Sequence, residues 1–225
     1  MIPAADVVAI DGPAASGKST VARLAAERLG RMYVDSGAFY RGLTWAAALR
    51  GTDVTDAAAL ERLLGALRWE TAVRERAVYF TVDGVEPGEA LRREPVRERV
   101  SALAAQPAAR MFVTARLRET ARLGPLVMEG RDIGTVVFPG ARFKFFLDAD
   151  PDERARRRLK DIEGLAERAD VNAVRDSLQR RDRMDSTRAV APLQRAADAE
   201  IINSTVLSAE AVTERIVARV RSAGV

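Results

Sequence analysis

The stretch AIDGPAASGKST, residues 9–20, is the most informative part of this sequence for its fold. It sets two glycines, Gly12 and Gly17, five positions apart, and a lysine and a serine follow the second glycine. The β-branched run DVVAID, residues 6–11, precedes it and predicts a buried strand. Apolar residues then recur at helical spacing until Gly30, which predicts a helix that ends there.

The pattern GxxxxGK(S/T) between a strand and a helix is typical of a P-loop that binds a nucleoside triphosphate. Glycines let the backbone curl until its N–H groups point at an anion, and the positive end of the helix dipole points to the same place. Lys18 adds a full charge toward the β- and γ-phosphates, and the hydroxyl of Ser19 is a ligand for Mg²⁺. By chance the pattern would occur about once in a thousand such sequences. We expect the phosphates to be held by Gly12, Pro13, Ala14, Ala15, Ser16, Gly17, Lys18, Ser19 and Thr20.

The composition limits the chemistry that this chain performs. With 225 residues it is long enough for one large domain, and a hydrophobic content of 48% with 30% charged residues is typical of a soluble globular protein. It contains no cysteine and no histidine, which excludes thiolate chemistry and histidine-based triads and leaves acid–base work to carboxylates and hydroxyls. No apolar run approaches the length of a membrane span and no secretion signal is recognisable, so we expect a cytoplasmic protein without a membrane partner.

The basic residues are nearly all arginine, since lysine occurs only at positions 18, 144 and 160. Two explanations stand side by side. One is the codon bias of a GC-rich genome, which also accounts for the abundant alanine, and the other is phosphate recognition by the planar guanidinium. The net charge of +4 is compatible with nucleic acid as a binding partner. No basic run is interleaved with aromatic residues, however, so we expect no nucleic acid partner.

The rest of the chain alternates between strand and helix patterns, which predicts a parallel sheet flanked by helices. Strands are predicted at MYVDSG (32–37, ending at Asp35), PLVMEG (125–130), RFKFFLDAD (142–150) and AEIIN (199–203). Helices are predicted over 38–50, 56–67 with Asp56 as cap, 95–105, 108–122, 151–163, 171–185 and 208–222. Residues 68–91 are rich in aromatic and β-branched residues and contain an Asp83–Gly84 turn, which predicts an antiparallel insert.

The P-loop by itself does not separate GTPases, DNA-acting ATPases and small-molecule kinases. Neither Asn172 nor Asn203 precedes a lysine, so the guanine-reading motif of GTPases is absent. No apolar strand ends in the paired acids of a Walker B motif, and the nearest candidate, FKFFLDAD, leads into a predicted helix.

Arginines cluster at helical spacing on the predicted helix over 151–163. Arg154, Arg157 and Arg158 share one face, where three guanidiniums repel one another in the absence of anions. They form either a solvated face paired with neighbouring acids or a lid that closes over the triphosphate.

A second charged stripe follows on the next predicted helix. Arg181, Asp185 and Arg188 fall at i, i+4 and i+7, which places them on one face if the helix continues. The stripe is either an ordinary ladder of ion pairs or a clamp for ribose and phosphate.

Polar residues also follow two of the predicted strands. Asp35, Ser36 and Arg41 lie just past one strand, and Arg131 and Asp132 follow another, between two glycines. Open parallel sheets bind ligands outside the carboxyl ends of their strands, where the P-loop also lies. We therefore expect these residues to face the same ligand site.

These stretches together closely resemble the bacterial cytidylate kinases, which are nucleoside monophosphate (NMP) kinases with a P-loop. The resemblance rests on IDGPAASGKST, DSGAFYRG, EGRDIGTVVFPGARFKFFLDADPDERARRR and RDRMDSTRAVAPL, and it extends over essentially the whole chain. It implies a P-loop kinase fold of class α/β with a five-stranded parallel core, a small β-containing NMP-binding insert and a helical lid. It also implies ATP-dependent phosphorylation of CMP and dCMP, with Mg²⁺.

Matching positions extend the resemblance to single residues. The cytosine-reading set would be Ser36, Arg110 and Asp132, with Arg188 nearby, and the pentose contacts would be Ser101, Arg181 and Asp185. The acceptor phosphate would be clamped by Arg41 and Arg131, and Arg157 and Arg158 would lie over ATP with Arg154 on the same helix face. We expect the residues that act in the transfer step to be Lys18, Arg131, Arg181 and Asp132.

The resemblance also divides the chain. Residues 1–225 would form a single P-loop kinase unit with a core over 1–63, 104–149 and 190–225, an NMP-binding insert over 64–103 and a lid over 150–189. A monomer is expected, because the family is usually monomeric. Two alternatives stay open at this point. One is a kinase of the same architecture for another small acceptor, such as UMP, AMP or a hydroxy acid, and the other is an ATP-dependent protein that binds nucleic acid.

Overall fold

A computed structural model describes residues 6–94, 96–160 and 171–224. Within these residues the chain forms seven strands in one sheet and eight α-helices. The strands are β1 (Val7–Asp11), β2 (Met32–Asp35), β3 (Trp69–Arg74), β4 (Ala77–Val82), β5 (Leu126–Gly130), β6 (Phe143–Asp148) and β7 (Glu200–Asn203). The helices are α1 (Lys18–Leu29), α2 (Ser36–Leu49), α3 (Ala57–Ala66), α4 (Val96–Ala104), α5 (Pro107–Thr120), α6 (Pro151–Lys160), α7 (Val171–Thr187) and α8 (Ala209–Arg221).

The strand order is β3-β4-β2-β5-β1-β6-β7. The five strands from β2 to β7 in this order pair in parallel, as the sequence predicted. The antiparallel hairpin β3–β4 extends the same sheet, because β4 pairs in parallel with β2 through Tyr33 and Ala77. The sheet therefore has seven strands, because the two strands of the predicted insert continue the sheet of the five-stranded core.

The turn of this hairpin lies elsewhere than predicted. Glu75 and Arg76 connect the two strands, with φ of 49° and 60°. Asp83 and Gly84 form a turn after β4, where the backbone of residue 82 bridges to that of residue 85. Two-residue hairpin turns need positive φ, for which asparagine and glycine are the usual signals, so a Glu-Arg turn leaves no sequence signal.

The core lies on both faces of the sheet, which is why β1 is buried along its whole length. On one face, Phe39 of α2 and Leu117 of α5 belong to a cluster that also contains Phe80 of the hairpin. On the opposite face, Val21 of α1 and Ile216 of α8 pack against the central strands. The edge at which the parallel strands end is thus held rigidly from both sides.

Most helix ends follow from single residues. Gly30 is left-handed, with φ of 65°, and ends α1 as predicted. Asp56 caps α3 as predicted, and the side chain of Asp35 caps α2, which therefore begins at residue 36 rather than 38. The helix predicted over 151–163 is observed as Pro151–Lys160, and residues 161–163 lie outside the described residues. Within the described ranges, no helix combines the length and the apolar composition that a membrane span requires.

Candidate active site

A cavity of about 580 Å³ opens at the carboxyl edge of the parallel sheet, where the P-loop meets the starts of α1 and α2 and the segment after β5. Of the predicted site residues, its lining contains Ala14, Ala15, Ser16, Gly17, Lys18, Ser19, Thr20, Ser36, Arg41, Ser101, Arg110, Arg131, Asp132, Arg157, Arg158, Arg181, Asp185 and Arg188. Gly12, Pro13 and Arg154 do not line it. One cavity therefore joins the P-loop with both charged stripes and both strand ends.

The two P-loop glycines are required by geometry. A Cβ at Gly12, where φ is 153°, would lie 2.0 Å from the backbone oxygen of Leu147. Gly17 has φ of 89° and precedes the first residue of α1 without a capping side chain. The first N–H groups of α1 therefore remain available for an anion in the cavity.

Lys18 is a buried cation at the centre of the P-loop. Its Nζ donates to the backbone oxygen of Pro13 at 2.5 Å and to Oγ of Ser16 at 3.3 Å. Burial, with the nearby charge of Arg131, lowers the pKa of Lys18 to about 7. A bound triphosphate would reverse this shift, since its negative charge favours the ammonium form.

Ser19 contacts an acid that the sequence analysis did not single out. Its hydroxyl donates to Oε1 of Glu129 at 2.5 Å, and Glu129 is the last residue but one of the apolar strand β5. Burial raises the pKa of Glu129, with the nearby charge of Asp35 as a second cause. Mg²⁺ in kinases is held by one or two protein oxygens together with substrate phosphates and water, so Ser19 and Glu129 fit such an ion.

Arg110 and Asp132 form a buried ion pair through Nη2 and Oδ2, and Arg110 also donates from Nη1 to the backbone oxygen of Ala104 at 3.1 Å. The other oxygen of Asp132, Oδ1, lies 3.8 Å from Nη2 of Arg188, beyond hydrogen-bond distance. Within the described part of the chain, Nε of Arg110 and Nη2 of Arg188 are buried and have no hydrogen-bond partner. Ser36 is buried beside Gly130, where an added Cβ would lie 2.5 Å from its Oγ. The cluster thus holds unused donors next to a carboxylate.

A second cluster contains Asp185 with Arg131 and Arg181, and the charges of Arg41 and Arg158 act on Arg181. Asp185 accepts from Nε of Arg131 at 3.0 Å, and Nε of Arg181 is buried without a partner among the described residues. Burial, together with the charges of Arg131, Arg41 and Arg158, lowers the pKa of Arg181 to about 10. Like charges held this close favour an anion between them.

Arg41 belongs to this cluster through the start of α2. Its Nη2 donates to Oδ2 of Asp35 at 2.7 Å, while Oδ1 of Asp35 accepts from the N–H of Ala38. A Cβ at Gly37 would lie 2.9 Å from Nη1 of Arg41, so a glycine leaves space for the guanidinium. The cap of α2 and the position of Arg41 are therefore set by the same carboxylate.

The three arginines of α6 that the sequence places on one face, Arg154, Arg157 and Arg158, have different surroundings. Arg157 lies beside the P-loop, and it donates to the backbone oxygen of Ser204 at 2.5 Å and to Glu153 at 3.0 Å. Arg158 lines the cavity. Arg154 is buried behind the P-loop, where it donates to the backbone oxygen of Ala14 at 3.2 Å and pairs with Asp182. Asp182 is a second residue that the sequence analysis did not single out.

Asp11 connects the P-loop strand with the segment after β5. Its two oxygens accept from the N–H groups of Ile133 and Gly134 at 2.8 and 2.7 Å. Burial nevertheless raises the pKa of Asp11 to about 7. These bonds fix the backbone that follows Asp132, so the acid at the end of β1 helps to place the acid in the cavity.

Comparison with known proteins matches the family model "Cytidylate kinase" to residues 8–222. A cytidylate kinase of Geobacillus kaustophilus is 44% identical over 93% of this chain and 93% of its own length, and one of Pelotomaculum thermopropionicum is 44% identical over 96% of each chain. A bifunctional pantoate ligase/cytidylate kinase of Synechococcus is also 44% identical, and this chain spans 43% of its length.

Among solved structures, an uncharacterized protein from Eubacterium ventriosum aligns over 96% of this chain and 98% of its own, with a TM-score of 0.51 and 13% identity. That likeness concerns the fold alone. The match of the family model over nearly the whole chain and the identities to full-length relatives show that this chain belongs to the cytidylate kinase family.

Proposed function

We propose that this protein transfers the γ-phosphoryl group of ATP to CMP or dCMP, giving CDP or dCDP and ADP. The family and the P-loop support ATP as the donor. The cluster around Asp132 supports a cytosine nucleotide as the acceptor. Both groups line the same cavity, which a transfer between two nucleotides requires.

The unused hydrogen-bonding atoms around Asp132 carry the proposal. Cytosine presents a donor, its amino group at C4, next to two acceptors, N3 and O2. The cluster presents the complementary groups. Oδ1 of Asp132 is an acceptor, and Nε of Arg110 and Nη2 of Arg188 are buried donors without partners in the described chain. Uracil would place an oxygen against the carboxylate and an N–H against a guanidinium, and both contacts are unfavourable.

The arginines around Asp185 fit the acceptor phosphate. The charges of Arg131, Arg41 and Arg158 help to lower the pKa of Arg181, and a phosphate dianion beside these guanidiniums would relieve that repulsion. Ser101 lines the same cavity and is proposed, with Asp185 and Arg181, to contact the pentose.

The transfer itself needs no strong base. The acceptor is a phosphate oxygen that is already ionised at neutral pH, so the absence of histidine from the chain is no obstacle. Lys18 and the N–H groups at the start of α1 neutralise charge that develops between the β- and γ-phosphates, while Arg131 and Arg181 hold the acceptor oxygen against the γ-phosphorus. These residues raise the rate by positioning and charge, and Asp132 contributes by fixing the base.

Mg²⁺ is proposed to bind beside the P-loop with Ser19 as its ligand and Glu129 next to it. When bound it would neutralise phosphate charge. The hydroxyl of Ser19 would hold the ion, and Glu129, which accepts from that hydroxyl in this structure, would orient it.

Several properties of the whole protein are proposed on the same basis. Residues 64–103 would serve as the NMP-binding insert, and residues 150–189 would serve as a lid that excludes water during transfer. We propose a cytoplasmic monomer that acts on small nucleotides and does not bind nucleic acid.

Coupled-enzyme turnover with a panel of nucleoside monophosphates tests the proposal. We expect CMP and dCMP to be phosphorylated with kcat/KM at least about 10³-fold above that for UMP and AMP. A preference for UMP or AMP, or turnover only with a hydroxy acid, would contradict the acceptor proposed here. Binding of oligonucleotides that weakens steeply with salt would contradict the expected absence of a nucleic acid partner.

A further inference from the structure

Ala14, the third residue of the P-loop, has both of its backbone polar groups taken by side chains from α6 and α7. Its N–H donates to Oδ1 of Asp182 at 3.0 Å, and its C=O accepts from Nη1 of Arg154 at 3.2 Å. Arg154 also pairs with Oδ2 of Asp182 and donates from Nε to the backbone oxygen of Ala149 at 3.1 Å. The two side chains, which are 8% and 16% exposed, close a ring around one P-loop residue.

Apolar contacts reinforce the same junction. Ala14 packs against Ala155 of α6 and Leu178 of α7 in a small buried cluster, and Ala15 and Val174 lie against it. Leu178 and Asp182 are four residues apart, so adjacent turns of α7 both contact the P-loop. The helix is therefore attached to this loop by an ion pair, a hydrogen bond and apolar packing.

The attached part of the loop has an unfavourable backbone conformation. Ala15 has φ of 58°, in the left-handed region that residues with a Cβ rarely adopt. Such a conformation persists only where the surroundings hold it. The side chains of Arg154 and Asp182 and the apolar cluster around Ala14 stabilise this conformation. It comes directly before the residues whose N–H groups bind phosphate in the proposed function.

The same stretch of α7 also reaches the acceptor side. Arg181 and Asp185 line the cavity, and Asp185 accepts from Arg131 at 3.0 Å. Asp182 does not line the cavity. Neighbouring residues of one rigid helix thus contact the proposed acceptor site and the donor loop, respectively.

We propose that Asp182 is a positioning residue that couples the two substrate sites through Ala14 and Arg154, so that CMP bound at α7 tightens the binding of ATP at the P-loop. This inference rests on the proposed function. Asp182 touches neither substrate, and its effect arises because the position of α7 that CMP favours also fixes the P-loop in the form that binds phosphate. By reciprocity, ATP tightens the binding of CMP by the same factor.

Isothermal titration calorimetry measures the coupling directly. The dissociation constant of a non-hydrolysable ATP analogue with Mg²⁺ is determined with and without saturating CMP, in the full-length wild type, Asp182→Ala and Asp182→Asn. We expect CMP to tighten the analogue at least about fivefold in the wild type and less than about twofold in Asp182→Ala. The Asn variant keeps an acceptor for the N–H of Ala14 but loses the charge that pairs with Arg154, so its coupling should be intermediate.

A matched control is Asp176→Ala, which removes an exposed acid from the same helix and should couple like the wild type. CMP affinity without the analogue should change less than about twofold in Asp182→Ala, whereas a general loss of structure would weaken it as well. Wild-type coupling in a folded Asp182→Ala overturns the inference, and so does an uncoupled wild type. If Asp182→Ala does not fold, unchanged coupling in Asp182→Asn overturns it instead. Absence of CMP turnover by the wild type would count against the proposed function itself.

Discussion

Arg110 and Asp132 form the least exposed ion pair of the candidate active site, with side chains that are 2% and 5% exposed. Arg110 reaches this position from α5, and Asp132 follows β5, so the pair also ties a helix to a strand end. A buried pair of this kind costs desolvation energy that its own attraction repays only in part. The presence of this ion pair in the wall of the cavity is explained if both groups gain a further partner from the substrate.

Replacement of Asp132 by alanine should therefore change base selectivity. We expect Asp132→Ala to lower kcat/KM for CMP by about 10³-fold or more and that for UMP by much less, because only cytosine donates to the carboxylate. Arg110→Met should also lower the ratio of kcat/KM for CMP to that for UMP. Its effect is less specific to the base, since Arg110 also donates to the backbone. Equal losses for CMP and UMP in coupled-enzyme assays would mean that Asp132 positions sugar, phosphate or metal. The alanine variant leaves Arg110 buried without its partner, at about 3–5 kcal/mol of stability, so Asp132→Asn is the comparison that retains volume.

Lys18→Met should remove catalysis while leaving the fold intact. The pKa of Lys18 is lowered to about 7 by burial, so its charge contributes no stability to the empty protein. We expect kcat to fall by about 10³-fold, because charge on the β–γ bridge is no longer neutralised, and the unfolding midpoint in urea to stay the same or rise. Near-normal turnover by a folded variant would remove Lys18 from the mechanism.

The pair of Ser19 and Glu129 should determine the Mg²⁺ requirement. We expect Ser19→Ala and Glu129→Gln to raise the half-saturating Mg²⁺ concentration by about tenfold or more, since groups that hold or orient a metal typically carry such factors. Titration of Mg²⁺ at fixed ATP and CMP measures this. Wild-type Mg²⁺ dependence in both variants, with lowered kcat, would assign the pair to the phosphates rather than to the ion.

Asp11 should make stability depend on pH in a direction opposite to that of most carboxylates. Its pKa is raised from 3.8 to about 7, so the folded protein binds this proton more tightly than the unfolded chain. The stabilisation is present at low pH and is lost as pH rises from about 4 through 7, by an amount on the order of a few kcal/mol.

Urea unfolding of the wild type and of Asp11→Asn at pH 5 and pH 7.5 checks this. The difference in unfolding free energy, wild type minus variant, should be smaller at pH 7.5 than at pH 5. A difference that rises with pH would show that the hydrogen bonds from Ile133 and Gly134 outweigh burial at this carboxylate.

The sequence could predict the P-loop and the polar strand ends because a parallel sheet brings its carboxyl ends to one edge. It could not single out Glu129, whose contact with Ser19 joins residues 110 positions apart. A single acid near the end of an apolar strand lacks the second acid of a Walker B motif, so the sequence pattern does not mark Glu129 as a candidate site residue.

Asp182 was missed for a different reason. The spacing of Arg181, Asp185 and Arg188 selects one face of α7, and Asp182 lies about 100° away from Arg181 around the helix. Only the placement of α7 against the P-loop reveals that this neighbouring face is also used. Local periodicity predicts which residues share a face, but the partner of each face is set by the tertiary fold.

The attachment of the hairpin β3–β4 has a mechanical consequence. Among the described residues, the hairpin joins the parallel strands through the pairing of Tyr33 with Ala77, and Phe80 lies against α2 at Gly42, where an added Cβ would lie 2.4 Å from the ring. Trp69 and Phe80 of the hairpin stack with 4.3 Å between ring centroids, and both rings also contact Phe39 of α2. The hairpin of the proposed NMP-binding insert is therefore expected to move together with α2 rather than independently of it, and without breaking the pairings between its own two strands.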